Sequence, residues 1–261
     1  MLINCKNVSF GYDGKAVVRN LNITVESGDY FWVVGENGSG KTTLIKGLLR
    51  LLTPLKGSIE FSDGLKHGRI GYLSQQSAPK KDFPAGVYEI VLSGNLGGMG
   101  LRPFYSAREK KLAEEAMEWL GIKNLAKNCY RELSGGQQRR VLLARALVSA
   151  QAEPAAETRQ GRGSPQEGGD PIKKGFKESL LVLDEPTASL DPIVTVEVYE
   201  LLKKLNEQTG ITIIMVSHDT QAAPQYTKQI IYLFEGRNLS YGAEDYKTSD
   251  TGRKFFGQKE E

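Results

Sequence analysis

Cysteine is nearly absent from this chain: only Cys5 and Cys129 occur among 261 residues. Two thiols so far apart exclude a disulfide framework and a cysteine-based metal site, and both read as reduced side chains. Histidine is equally scarce, with His67 and His218 alone, so no Cys/His cluster is available to hold an ion. No apolar run approaches the roughly 18 to 20 residues that a bilayer requires. The opening MLINCKNVSFGYDG lacks the basic-then-apolar layout of a secretory signal, and the expectation is a chain kept in the cytosol. Charge of one sign is not gathered anywhere. Lys and Arg alternate with Asp and Glu at a net charge of +3, which leaves no basic arm and no indication of nucleic acid as a partner.

What is present is enough apolar material for a sizeable core, 39% hydrophobic residues beside 25% charged ones. Apolar runs of strand length alternate with helical stripes, the pattern of an α/β protein with parallel strands. Strands are expected at 2–10, 20–25, 30–34, 70–74, 180–184, 211–217 and 230–234. Between residues 77 and 131 the strands stop, and a mostly helical subdomain is expected there. Its best helix is SAREKKLAEEAMEWLG, with Leu112, Ala113, Ala116, Met117 and Leu120 on one face. Ser106 and Glu109 make its capping box and Gly121 its stop.

Three phrases carry chemistry. In FWVVGENGSGKTTL an apolar strand runs into Gly35, then Glu36, Asn37, Gly38 and Ser39, then Gly40, Lys41, Thr42 and Thr43. This is the P-loop spacing in its proper setting of strand, glycine loop and helix. Backbone amides there can point at phosphate oxygens, Lys41 can reach the β- and γ-phosphates, and Thr42 can offer a hydroxyl to Mg²⁺. In SLLVLDEPTASLD a strand ends in two carboxylates. Asp184 suits Mg²⁺ through its water shell, and Glu185 can orient or deprotonate an attacking water. In ELSGGQQRRVLLARALV, Ser134 reads as an N-cap, and Gly135 and Gly136 keep the first turn bare. Val141, Leu142, Ala144, Arg145 and Leu147 then carry an amphipathic helix onward.

With the LSGGQ phrase intact at Leu133 to Gln137, the chain resembles the ATP-binding subunits of ABC transporters over nearly its whole length. The resemblance implies a P-loop NTPase core with a mostly parallel sheet over 1–76 and 132–242, an N-terminal antiparallel β subdomain, and a helical subdomain inserted at 77–131. It also implies a head-to-tail pair of subunits in which Ser134, Gly135, Gly136 and Gln137 of one copy close over ATP held by the P-loop of the other. On the same grounds Tyr12 is expected to stack on adenine, Gln75 to sense Mg²⁺ and γ-phosphate, Asp191 to cross the dimer interface and His218 to contact the γ-phosphate. ATP and Mg²⁺ are the implied cofactors.

Lacking a membrane segment of its own, such a subunit would sit on the inner face of the membrane through separate permease subunits, with a solute-binding protein if the direction is import. The stretch DFPAGVYEIVLSGN at 82–95 resembles ATPases of the zinc and manganese uptake branch, with the iron-chelate branch next. A soluble member of the family, such as an iron–sulfur assembly ATPase, is the alternative. Long coiled coils and a second cassette, the marks of the repair and ribosomal types, are absent.

Two segments lie outside these motifs. The tail 243–261 is polar apart from Tyr246, Phe255 and Phe256. Residues 150–177 are crowded with Gly, Pro, Gln and charge, and both flanks belong to one core, so the segment reads as an inserted loop at the amino end of the next strand, away from ATP. Closing a loop of this length need cost only about a kcal/mol more than a short turn. Replacing 151–175 with a short Gly/Ser turn is therefore expected to leave ATP turnover largely intact. A nucleotide titration and a steady-state ATPase assay check this, and loss of ATP binding would mean that the segment is part of the core.

Overall fold

Runs such as LLVLD and TIIMV have no polar face, so strands built from them must be covered on both sides. The computed structural model, which describes residues 1–66, 68–75, 84–99, 102–151, 176 and 178–256, places both at the middle of a six-stranded sheet. Its order is β5 (Ile70–Leu73), β6 (Leu180–Asp184), β7 (Thr212–Val216), β3 (Tyr30–Gly35), β8 (Gln229–Phe234) and β9 (Arg237–Gly242). Every neighbouring pair is parallel except β8 and β9. Three further strands, β2 (Lys15–Val25), β1 (Ile3–Tyr12) and β4 (Lys56–Phe61), form an antiparallel sheet in that order.

Alternate residues of the central strands feed two cores. Phe31, Val33, Leu180, Val182, Ile214 and Val216 pack with the antiparallel sheet and with Leu44, Ile45 and Leu48 of α1 (Lys41–Leu48). Trp32, Leu181, Leu183, Ile213 and Met215 face the other way, toward the remaining long helices. Helix α2 (Asp63–Lys66) follows β4, and past β5 come α3 (Val87–Leu92), α4 (Leu96–Met99) and α5 (Ala107–Trp119). Residues on either side of these three helices are tied together, since Val87 N donates to Asn128 O at 3.0 Å and Tyr130 N to Ala85 O at 3.0 Å.

The capping box of α5 is present: Ser106 N donates to Glu109 Oε2 at 2.6 Å and Glu109 N to Ser106 Oγ at 3.3 Å. Arg102 Nη2 braces the same Glu109 at 2.8 Å. At its far end Gly121 has φ 65°, the left-handed stop that glycine supplies cheaply.

Helix α6 (Gly135–Gln151) differs from the expected amphipathic rod. Val141 to Ala144 and Ala146 to Val148 are all buried and only Arg145 of that run is exposed. The helix is packed against β5, α3 and α5, and burial over so much of its circumference leaves only a narrow exposed line at Arg145. Contact is close: a Cβ added at Gly71 of β5 would stand 2.1 Å from Ala146 O.

The chain then resumes at β6 and continues through α7 (Pro192–Thr209), α8 (Ala223–Tyr226), α9 (Ala243–Thr248) and α10 (Asp250–Phe256). The tail is thus helical as far as residue 256, with Tyr246 fully buried, and 257–261 fall outside the described residues. Most of the expected insertion also falls outside them. Gln151 ends α6 and Phe176 is fully buried, so the ends of that segment belong to the core. Among the described residues no helix is long and apolar enough to cross a membrane. Removing the α5 cap by Ser106→Ala is expected to cost about 1 kcal/mol. Scanning calorimetry should show this as a melting midpoint lowered by about 2–4 °C.

Candidate phosphate-binding and hydrolytic site

Sheet register assembles the site. Val33 pairs with Val216, Asp184 with Val216 and Leu73 with Leu183, so the carboxyl ends of β5, β6, β7 and β3 lie side by side. In an open parallel sheet this is where ligands bind. The four strands deliver in turn Gln75, Asp184 with Glu185, His218, and the loop after Gly35. Together they line a cleft of about 230 Å³, with Asn37, Gly38, Gly40, Lys41, Thr42 and Thr43 on one wall and Gln75, Asp184, Glu185 and His218 facing them.

The glycine loop needs its glycines for space as well as for backbone freedom. Gly35 has φ 154° and an added Cβ would meet Leu233 O at 2.3 Å, while Gly40 has φ 106° and a Cβ there would meet Val18 Cγ2 at 2.9 Å. Lys41 folds back onto the loop, its Nζ donating to Gly35 O at 2.7 Å and Glu36 O at 2.8 Å. Burial pushes its pKa down, against the pull of Glu185 and Asp184. Ser39 Oγ, enclosed in the same loop, has no hydrogen-bond partner among the described residues. An orphaned hydroxyl beside a curl of amides fits a site shaped for an anionic ligand.

Burial raises the pKa of Asp184, opposed by Lys41 and Arg139. It raises that of Glu185 as well, opposed by the hydrogen bond from the His218 amide and by Lys41. His218 is pushed down by burial and by Lys41, so its imidazole is neutral near pH 7, and its Nε2 lies 3.0 Å from Glu185 Oε1. Glu185 itself has φ 50°, a left-handed conformation that costs a non-glycine residue roughly 1–3 kcal/mol. Surrounding bonds hold it there. Its amide donates to Val216 O at 2.9 Å, and the Arg139 guanidinium donates to the carbonyls of Glu185 and Pro186.

Thr42, Gln75 and Asp184 bring a hydroxyl, an amide and a carboxylate to one cleft, the hard donors that Mg²⁺ takes beside phosphate oxygens and water. Among the described residues no group of three or more His, Cys, Asp or Glu could hold a metal ion by itself.

Other expected site residues lie elsewhere. Gly35, Glu36 and Ser39 shape the loop without lining the cleft. Tyr12 is 44% exposed outside it, its hydroxyl accepting from Lys46 Nζ at 3.3 Å. Ser134, Gly135, Gly136 and Gln137 are also absent from the cleft of their own chain. There Ser134 caps α6 as expected, its Oγ accepting from Gln137 N at 3.3 Å while its amide donates to Gln137 Oε1 at 3.0 Å. The first turn is not wholly bare: Gly135 is exposed, but a Cβ on Gly136 would meet Val194 Cγ1 at 2.9 Å. Asp191 caps α7, its Oδ1 accepting from Ile193 N and Val194 N at 3.0 Å each.

Two residues escaped the sequence reading. Val17 of β2 lines the cleft because the antiparallel sheet folds against the loop, and no local pattern announces that contact. Arg139 had a readable signal, since it stands three and four residues before Leu142 and Leu143, on the face of α6 that is buried.

The chain is similar to known proteins over most of its length. The family model described as ABC transporter matches residues 18–152, and a second, described as AAA domain, putative AbiEii toxin, Type IV TA system, matches 102–222. The zinc uptake system ATP-binding protein ZurA of Listeria innocua is 32% identical over 94% of this chain and 88% of its own length. The manganese transport system ATP-binding protein MntB of Bacillus subtilis is 30% identical over 98% of this chain and 92% of its own. A solved structure described as the dimeric post-hydrolysis state of the ATP-binding cassette MJ0796 bound to ADP and Pi is 25% identical, with TM-score 0.65, over 93% of this chain and 99% of that one. Nearly end-to-end likeness to ATP-binding subunits, with phosphate loop and facing carboxylates in one cleft, places this chain in the ABC transporter family as an ATP-hydrolysing subunit.

Proposed function

We propose that this subunit powers import of a transition-metal ion, zinc or manganese, by closing head-to-tail on a second copy around two ATP molecules. The metal is suggested by ZurA and MntB, the zinc and manganese ATP-binding proteins it matches over most of its length. One observation carries the pairing: the cleft holds Lys41, Glu185 and His218 but none of Ser134 to Gln137. A capped helix start left exposed, outside the cleft of its own chain, is a second end suited to an anion. A partner copy supplies the match. Ile193, 75% exposed beside Asp191, then becomes part of the contact.

Within each composite site Lys41 leaves the carbonyls of Gly35 and Glu36 for the β- and γ-phosphates, while loop amides and the start of α1 take the remaining oxygens. Glu185 orients and deprotonates the attacking water, and His218, neutral and 3.0 Å from it, holds the γ-phosphate in line. Mg²⁺, held through Thr42, Asp184 and Gln75, would offset the phosphate charge that Asp184 and Glu185 otherwise repel. Tyr12 stacks on adenine from outside the cleft. ATP favours the closed pair because it adds contacts that the open pair lacks, and hydrolysis removes them.

Permease subunits have a surface to meet next to this machinery. Leu49, Leu51, Leu65, Ile70 and Tyr72 border a groove of about 440 Å³ on β5, the strand that runs directly to Gln75. Leu51 is 70% exposed and Tyr72 37%. A membrane subunit's cytoplasmic helix seated there would feel any movement of Gln75, and the chain would sit on the inner membrane face. Against the soluble assembly alternative, the relatives' names are those of transport systems.

Glu185→Gln should still bind ATP, accumulate as a closed dimer on size exclusion, and lose turnover by about 10²- to 10⁴-fold. Wild-type hydrolysis in that variant would remove Glu185 from its role. For the groove, Leu51→Asp should abolish co-purification with a polytopic membrane protein while the isolated subunit keeps its basal ATPase rate.

A further inference from the structure

Tyr199 lies on α7, remote in sequence from Glu185 and from His218, and is 1% exposed. Its ring meets Trp32 edge-on with centroids 4.9 Å apart and Tyr226 at 5.3 Å. A phenyl ring would fill that space equally well, so packing does not account for the oxygen. The hydroxyl instead lies 3.0 Å from Thr187 Oγ1 and 3.3 Å from Ser217 Oγ. Thr187 is two residues past Glu185, and Ser217 immediately precedes His218. Ser217 Oγ also accepts the amide of Asp219 at 3.1 Å, which fixes the far side of the histidine.

A Thr187 hydroxyl donating to Tyr199, and Tyr199 donating to Ser217, uses each of those two protons once. With Arg139 gripping the carbonyls of Glu185 and Pro186, the segment after β6 is held from two directions. We propose that Tyr199 is a positioning residue whose hydroxyl bridges the segment after Glu185 to the loop carrying His218, keeping the two side chains in register. The turn from Thr187 runs on to Asp191, on the face presented to the second copy, so the same bridge carries the state of that face to His218. This rests on the reading of Glu185 and His218 as the hydrolytic pair.

Only two histidines occur in the chain, so a ¹⁵N-histidine side-chain spectrum of the intact subunit resolves His218 against His67 alone. Tyr199→Phe should shift the His218 signal. Thr187→Val should shift it too, although Thr187 acts on that loop only through Tyr199. For Tyr199→Phe, kcat should fall roughly three- to tenfold, the worth of one neutral hydrogen bond, with KM within about twofold. Combining it with Ser217→Ala should cost no more than the larger single effect.

Glu185→Gln and His218→Ala, assayed alongside, separate the two levels. Wild-type turnover in those variants would sink the underlying reading. If they lose turnover while Tyr199→Phe and Thr187→Val leave both kcat and the His218 signal unmoved, or if the double variant is additive, the bridge is overturned. A lowered melting midpoint with the His218 signal unmoved would also overturn it, because it would mark Tyr199 as a packing residue only.

Discussion

Lys41, Arg139, Asp184 and Glu185 are all at most 9% exposed at the carboxyl ends of the parallel strands, and everything functional in the structure depends on their mutual neutralisation. Burial pushes each of the four toward its uncharged form, and in each case groups of opposite charge among the other three push back. Two positive and two negative groups balance. Removing any one would leave an opposite charge stranded in a poorly solvated place, which is costlier than never having built the set. The cleft therefore tolerates a highly charged ligand only in compensated form, and this gives a physical reason for a divalent cation to accompany a polyphosphate there.

The same set ties distant parts of the chain into one body. Arg139 belongs to α6, whose first turn is the exposed LSGGQ end, and its guanidinium is spent on the backbone carbonyls of Glu185 and Pro186. Those bonds hold Glu185 at a φ that its side chain disfavours. The helix that begins with the phrase is thus the helix that sets the backbone of Glu185 in the same chain. Since α6 is packed against β5, α3 and α5, a push on its start is passed to packed neighbours rather than absorbed by fraying.

Legibility in the sequence followed burial. The central strands were readable because both of their faces are covered and their runs are continuously apolar. β4 and β9 were not: KGSIEF and RNLSYG carry few apolar residues, both strands lie at sheet edges, and backbone pairing alone holds much of their length. β2 begins at Lys15 instead of residue 20, its first residues pairing in a hairpin with Tyr12 and Gly11. The P-loop, Asp184 and Glu185 were placed by motif spacing, Gln75 and His218 by the family resemblance, and strand register brings them into one cleft. Val17 comes from the other sheet, a long-range contact that spacing cannot express. The amphipathic reading of α6 failed because most of its circumference is covered, so that beyond its first turn only Arg145 is left exposed.

That failure bears on how the site works. An amphipathic surface helix could have shifted its phase toward the P-loop of its own chain at little cost. A helix buried along one flank by Leu142, Leu143 and Val148, and locked at Gly71 and Gly94 by backbone contact, cannot. Its start is fixed away from the cleft of its own chain. On the proposed pairing, the same core packing that stabilises one copy leaves its site to be completed by the LSGGQ end of a second.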